Sequence, residues 1–460
     1  MDFSRIIEDL SKQTSTLQDR ISILEQENAA LREENTKLRQ ENDRLKERLG
    51  LNSTNSSLPP SRDLYRIKRH NRSRSDKRPG AQPGHKYQGY QLKTPDEVVD
   101  LFPEPCSCGS ALAIDPTFRA EQKIEIPPLK PYITEYRLYQ GICRTCGKKK
   151  AACFPEDVPA DLLGNNAKAI ISSLSGFFHN SKRDVQQILK DIFHLPISLG
   201  LVSNTEKRVN HKLESAYQKL IDQMEDSPYL HIDETGHKCR GERGWGWMLT
   251  SRDVSVLKLT ASRGKKVLES LLPCYEGQVI SDRYGAYRYF DLQNRQICWS
   301  HLKRDFQRFT HSRMPALAEK GEELDAIRRE IFALYQAFKN QTIDVLFFKR
   351  RIRKLKKRMI HTLKGILQIP DVVQAHRVAQ NLINSFEMMW RFVDNPDIEP
   401  TNNLAERQIR KYVVYRKKSL FTWSKRGNEF IERILSIFLT CRLQNQSAFS
   451  RLSHLIAASS

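Results

Sequence analysis

Hydrophobic residues recur with different periods along the chain, and each period predicts a different element. Leu10, Leu17, Leu24, Leu31, Leu38 and Leu45 return every seven residues, the seam of a long helix made to pair with another. Its companion seam carries Thr14, Ile21, Asn28, Asn35, Asn42 and Leu49. Buried asparagine there lowers stability and favours a parallel two-stranded register. Flanking charges agree, because Arg20 can meet Glu25 of a second copy and Glu27 can meet Arg32. Residues 1–50 therefore read as a dimerising coiled coil. From 51 to 95 the rhythm dissolves into Asn, Ser, Pro, Gly and basic residues, a flexible linker too poor in apolar side chains to fold alone. Period two returns at Lys123–Ile126 and Ile133–Tyr139, which predicts strands inside a module spanning 96–156. Over 160–225 the spacing is helical. Val185, Ile188, Leu189 and Ile192 share a face, Leu195-Pro196 breaks the helix, and Leu199 to Val209 resumes it. The pattern is helix-turn-helix-like, with Ser203, Asn204, Lys207 and Arg208 on the second helix; ordinary helix packing accounts for it equally.

The next stretch organises the rest. In Tyr229-Leu230-His231-Ile232-Asp233-Glu234-Thr235-Gly236, Leu230 and Ile232 share one face of a strand while His231 and Asp233 share the other. Strand-like runs follow at Trp245–Thr250 and Val254–Thr260, a helix at Gly264–Leu272, a strand at Gln278–Asp282, a short helix at Tyr284–Phe290, a strand at Arg295–Cys298 and a helix from His301 to Phe309. Three strands, helix, strand, helix, strand, helix is the ribonuclease-H-like succession, in which the first and fourth strands are neighbours. The predicted architecture is multidomain α/β. The first part of the core covers 226–309, a basic helical insertion 310–399, the last core helix with a basic and aromatic segment 400–427, and a helical tail 428–460.

Composition narrows the function. A chain of 460 residues is too long for one core. Hydrophobic content of 39% with no run of eighteen apolar residues predicts a protein without a membrane span, and a terminus charged from Asp2 onward is unlike a signal peptide. A cytoplasmic location is expected. The formal net charge of +22 calls for a polyanion, DNA first. Candidate DNA contacts are Arg66, Lys68, Arg69, Arg72 and Arg74 in the linker and Lys349, Arg350, Arg353 and Lys357 in the insertion. Arg416, Lys417, Lys418 and Trp423 join them from a stretch that interleaves aromatic and basic residues. Eight cations crowd residues 349–358 with no acid among them. Of nine cysteines, Cys106, Cys108, Cys143 and Cys146 form two close pairs, each followed by glycine, the pattern of a four-thiolate structural Zn²⁺ site in a zinc-ribbon-like module.

Two acids close apolar strand runs, Asp233 and Asp282, and a third, Glu406, lies on a helix capped by Asn402 or Asn403. Phosphodiester cleavage needs an activated water and a stabilised leaving oxygen, which two Mg²⁺ or Mn²⁺ ions held by hard oxygen ligands supply. Each acid alone has an ordinary explanation as a turn, a cap or an intrahelical ion pair. Their order in the predicted fold favours a shared site. Glu234 points away from Asp233 on a strand and reads as structural.

The stretches Asn55–Ser61, Gly80–Lys86, His231–Gly236, Ser281–Tyr287, Cys298–Phe306 and Asn402–Arg410, with the zipper and the cysteine pairs, resemble the insertion-sequence sixty-six family, a group of bacterial DDE transposases. Departures are small: Leu58, Ala81 and Ser300 stand where the family often has a basic residue, glycine and alanine. The resemblance implies that Asp233, Asp282 and Glu406 are the catalytic triad. It puts His301 and Arg304 near the cleft, with Asn402, Asn403, Arg407 and Arg410 beside Glu406. It further implies hydrolysis at the element ends, attack of the freed 3′-hydroxyl on target DNA, and accessory proteins of the same element. Two rival readings are a non-catalytic DNA-binding regulator and a ribonuclease-H-type nuclease without strand transfer.

Overall fold

The computed structural model describes residues 3–50, 80, 92–104, 106–155 and 161–458; the linker cations Arg66, Lys68, Arg69, Arg72 and Arg74 lie outside them. Two compact units emerge, one of Lys68–Glu206 and one of Met1–Ile67 with Lys207–Ser459. None of the described helices is long and apolar enough to cross a membrane.

Helix α1 (Phe3–Gly50) runs unbroken, with Leu17, Leu24, Leu31 and Leu38 exposed along it. In the unit of residues 68–206, the strands expected at 123–126 and 133–139 are absent. Their side chains are exposed on both faces, so alternation there had no apolar layer to bury against. The described strands are instead β1 (Gln140–Ile142) and β2 (Lys149–Ala151), an antiparallel pair. They flank the turn Cys143–Gly147, where the Gly147 amide donates to Cys143 O at 2.9 Å. Gly147 and its counterpart Gly109, whose amide donates to Cys106 O, have φ of 68° and 81°, a region costly for any side chain. Beyond them come α2 (Asn165–Ser172), α3 (Lys182–Asp191) and α4 (Leu199–Lys212). Ser181 and Asp184 form a reciprocal capping box at the start of α3. Leu163, Ile171, Val185, Leu189, Ile197 and Val202 make the small core; of the helical face read from the spacing, Val185 and Leu189 are buried, Ile188 is half-buried, and Ile192, at the end of the helix, is exposed.

The second unit continues with α5 (Glu214–Glu225) and a five-stranded sheet: β3 (Tyr229–Cys239), β4 (Glu242–Thr250), β5 (Ser255–Thr260), β6 (Gln278–Ser281) and β7 (Arg295–Ile297). Helix α6 (Lys265–Leu271) precedes β6, and α7 (Trp299–Thr310) follows β7. In space the order is β5-β4-β3-β6-β7, with β3, β4 and β5 antiparallel and β6 and β7 parallel to β3. The succession of elements is the predicted one. Alternation divides the strands between two cores: Val279 joins Leu230, Ile232, Trp247 and Leu268, whereas Ile280 joins Ile297, Trp299 and Phe306.

That second core extends into the insertion, made of α8 (Pro315–Lys339), α9 (Val345–Ile366), α10 (Val373–Asn384) and the short α11 (Arg391–Asp394). Ile352, Leu355 and Met359 of α9 are buried as their spacing predicts. The cations around them are partly neutralised from other elements, which the local sequence could not show. Arg351 and Arg358 meet Glu330 at 2.6 and 3.8 Å, Lys349 meets Asp394 at 3.5 Å, and Lys356 lies over the Trp390 ring. Arg350, Arg353, Lys354 and Lys357 are exposed.

Three helices close the chain: α12 (Asn403–Lys418), α13 (Lys425–Leu443) and α14 (Ala448–Ala458). Helix α13 covers the edge strand β5 by an unusual match of spacings. Glu432, Ser436 and Thr440 recur every four residues, a rise of about 6 Å. The amides of Leu259, Leu257 and Ser255 recur every two, a rise of about 6.8 Å. Each amide donates to the facing side chain, at 2.6, 2.9 and 3.0 Å in that order. An open sheet edge is thereby satisfied by a helix. Ser436→Ala leaves the Leu257 amide buried without an acceptor, and thermal unfolding should show a loss of about 1–3 kcal/mol.

A candidate carboxylate site where a neighbouring strand ends

Strand β3 pairs with β4 as far as Cys239, but with β6 only from Tyr229 to His231. Beyond His231 there is therefore a gap in the strand pairing of β3, where side chains such as Asn402 and Arg416 reach its carbonyls instead. Asp233 lies two residues into that gap, and Asp282 is the first residue after β6. Asp233 is thus mid-strand rather than at a strand end as expected; the strand that stops is its neighbour.

The turn after β6 is pinned from three directions. Asp282 Oδ1 accepts from the Tyr284 amide at 2.8 Å, the Arg295 guanidinium donates to its carbonyl at 3.4 Å, and Arg283 pairs with Asp305 of α7. Glu406 arrives from far away in sequence, in the first turn of α12. Asn402, just ahead of that helix, does not make the side-chain cap expected of it. Its amide group turns to β3 instead: Nδ2 donates to Ile232 O at 2.8 Å and Oδ1 lies 3.2 Å from His231 Nδ1. Burial pushes the His231 ring down to about 4, so it is neutral, with Nδ1–H as the donor to Asn402. Asn402 N donates to Cys298 Sγ at 3.1 Å, and its carbonyl accepts from Glu406 N at 3.2 Å. One residue ties β3, the start of α7 and the start of α12.

The electrostatics of the site are set first by burial and then by neighbouring negative charge. Burial, and then the charges of Glu234, Glu406 and Asp282, push Asp233 up to about 8. Glu234 itself is occupied. It accepts from Tyr287 and from Arg263, whose guanidinium lies 3.7 Å from the Tyr284 ring centre, in keeping with a structural assignment. Arg263 and Arg283 are thus committed to Glu234 and Asp305. Oxygen donors that repel one another in a buried setting suit a hard divalent cation.

The other predicted residues fall as follows. His301 and Arg304 are half-buried on α7, and the charges of Asp282 and Glu406 both act on His301. Asn403 Oδ1 accepts from the Ser300 hydroxyl at 3.4 Å, while Arg407 and Arg410 are exposed on α12. Lys417, Lys418 and Trp423 are exposed, but Arg416 turns inward to donate to Gly236 O. Cys106, Cys108, Cys143 and Cys146 are exposed. Cys108 is held down to about 7 by hydrogen bonds from Ser110 and then Cys106, and backbone amides of Cys146 and Thr145 lower Cys143. Among the described residues the two pairs do not gather into one group; the metal-spaced cluster is Cys298, His301 and Glu406. The part played by Cys298 is hidden in the sequence because a cysteine between Ile297 and Trp299 looks like core. Its one signal is the spacing Cys298-x-x-His301 at a helix start.

Between the ordinary value of 3.8 and about 8 the folded chain keeps a proton on Asp233 that the unfolded chain has released. Stability from this residue is therefore greatest below its ordinary value and is lost as pH rises through about 8. Asp233→Asn cannot ionise, so its Tm advantage over the parent should grow from about pH 5 to about pH 8. A Tm difference that stays constant over that range would mean that the fold does not hold a proton on Asp233.

Comparison with known proteins bears on the same residues. A family described as "Transposase IS66 family" matches residues 181–430, a span that takes in all three acids. Residues 8–91 match a family of unknown function, DUF6444. An uncharacterized protein of Sinorhizobium fredii, y4jO, is 25% identical over 170 residues, which cover 36% of this chain and 47% of that protein, just under half its length. With more than half of its residues matched, and the acids carried on the elements described above, the chain belongs to the IS66 family of transposases.

Proposed function

We propose that this chain is a DDE transposase that cuts the ends of a mobile element and joins the freed 3′-hydroxyls to target DNA. The observations that support the reading are that Asp282 follows directly on β6, beside the stretch of β3 that carries Asp233, and that burial and then the charges of Glu234, Glu406 and Asp282 push Asp233 up to about 8. The order of strands and the parallel pairing of β3 with β6 support a ribonuclease-H-like core.

Asp233, Asp282 and Glu406 are the residues that would hold two divalent ions, Mg²⁺ or Mn²⁺, which when bound activate the attacking oxygen and stabilise the leaving one. The chain's own contribution is placement. Asn402 fixes the start of α12 against β3, so Glu406 keeps its position despite the insertion. Arg283 with Asp305, and Arg295 at the Asp282 carbonyl, hold the second aspartate over the end of β6. Arg263 and Tyr287 draw Glu234 aside and leave Asp233 as the ligand from β3.

DNA would be held by cations of the linker, by the exposed residues of α9, and by Lys417, Lys418 and Trp423. Helix α1 would pair two protomers so that two ends are handled together. The cysteine pairs, with glycine turns and thiols lowered at Cys108 and Cys143, would bind a structural Zn²⁺ once brought together. Accessory proteins of the same element are a further expected partner.

Asp282→Asn should lower Mg²⁺-dependent cleavage of an end-containing duplex by more than about a hundredfold, beyond the loss typical of residues behind the ligands. Transfer of the cut strand to a second duplex separates a transposase from a simple nuclease, and retained cleavage by the variant would remove Asp282 from the mechanism. Replacing Lys417 and Lys418 by alanine should weaken binding evenly across sequences. The slope of log affinity against log salt should fall by about 1 for each phosphate that is no longer neutralised; an unchanged slope would place the DNA elsewhere.

A further inference from the structure

Cys298, His301 and Glu406 each present a ligand atom, and all three atoms lie within 4.8 Å of one another. Cys298 and His301 share the turn that starts α7, and Glu406 comes from the first turn of α12, so tertiary packing completes the cluster. His301 Nδ1 is 3.9 Å from Glu406 Oε1 and is buried without a hydrogen-bond partner. Cys298 is fully buried, and its sulfur already accepts from the Asn402 amide, as metal-bound sulfur commonly does. Ligand atoms around a tetrahedral Zn²⁺ stand about 3.5 Å apart, as bond lengths of roughly 2.0–2.3 Å require. The cluster therefore needs only a small closure to surround an ion.

The donor set differs in kind from the two aspartates. Asp233 and Asp282 offer hard oxygen alone, which suits Mg²⁺. Sulfur and imidazole suit a softer ion.

We propose that Cys298, His301 and Glu406 form a separate site for a borderline divalent cation, Zn²⁺ being the best match, with a fourth position left to water. On binding, the ion replaces the Cys298 thiol proton, which passes to solvent. The site takes Glu406 as its oxygen ligand. Under the proposed function, on which this consequence alone rests, Zn²⁺ withdraws the third acid from the aspartates and opposes Mg²⁺-dependent cleavage.

The test is Zn²⁺ stoichiometry of the full chain by equilibrium dialysis with the free ion buffered, comparing the parent with Cys298→Ser, His301→Ala and an Asp233→Asn, Asp282→Asn double variant. Serine at 298 keeps an acceptor for the Asn402 amide, and His301→Ala removes a half-buried ring from α7, so the two variants perturb the fold in different ways. Each should bind one Zn²⁺ fewer than the parent, whatever the other cysteines hold, whereas the double aspartate variant should keep the full number. Full stoichiometry in either Cys298→Ser or His301→Ala, or loss of the same equivalent in the aspartate variant, would overturn the site. The readout is independent of cleavage, so failure of the transposase mechanism and failure of this site are separately visible.

Discussion

The candidate site hangs on Asn402. An insertion of about ninety residues separates α7 from α12, and loop closure over such a length constrains the returning chain only weakly. What fixes the return is a set of short bonds at one side chain and its backbone: to Ile232 O, to the His231 ring, to Cys298 Sγ and to Glu406 N. Each such bond is worth only about 1 kcal/mol net. All are buried, so breaking one strands a polar group in the interior. Glu406 is held in place because the alternatives to that arrangement leave unsatisfied atoms.

A second constraint is electrostatic. Buried carboxylates stabilise nothing by themselves; burial and then neighbouring charge raise the Asp233 pKa and make the folded state less favourable as the group ionises. The surrounding structure offsets this by neutralising the acids that are not needed. Glu234 goes to Arg263 and Tyr287, and Asp305 goes to Arg283. The charges of Glu406 and Asp282 still act on Asp233.

Much of this was legible in the chain. Alternation at Leu230 and Ile232, the apolar runs ending near Asp282 and Cys298, and the seam Ile352, Leu355, Met359 carried the order of elements and the buried faces. Legibility failed wherever a side chain served a partner remote in sequence. Asn402 looked like a helix cap and is a tertiary anchor, because a cap motif records only its neighbours. Glu432, Ser436 and Thr440 are polar residues in a helical tail, yet all are buried, bonded to amides of β5; their match to the strand's spacing cannot be seen in one segment. The run over 349–358 looked like unopposed charge because Glu330 and Asp394 approach it from other elements. Conversely, the alternation at 123–139 suggested strands that need a packing surface the segment does not have.

The insertion shares one core with α7, and its first two helices are joined by an exposed turn, Asn340 to Asp344. That turn separates the chain into a piece bearing both aspartates and a piece bearing the glutamate. A backbone cut there would leave each fragment with part of one hydrophobic core. The two would have reason to reassociate, so the late return of α12 makes this fold divisible at one turn.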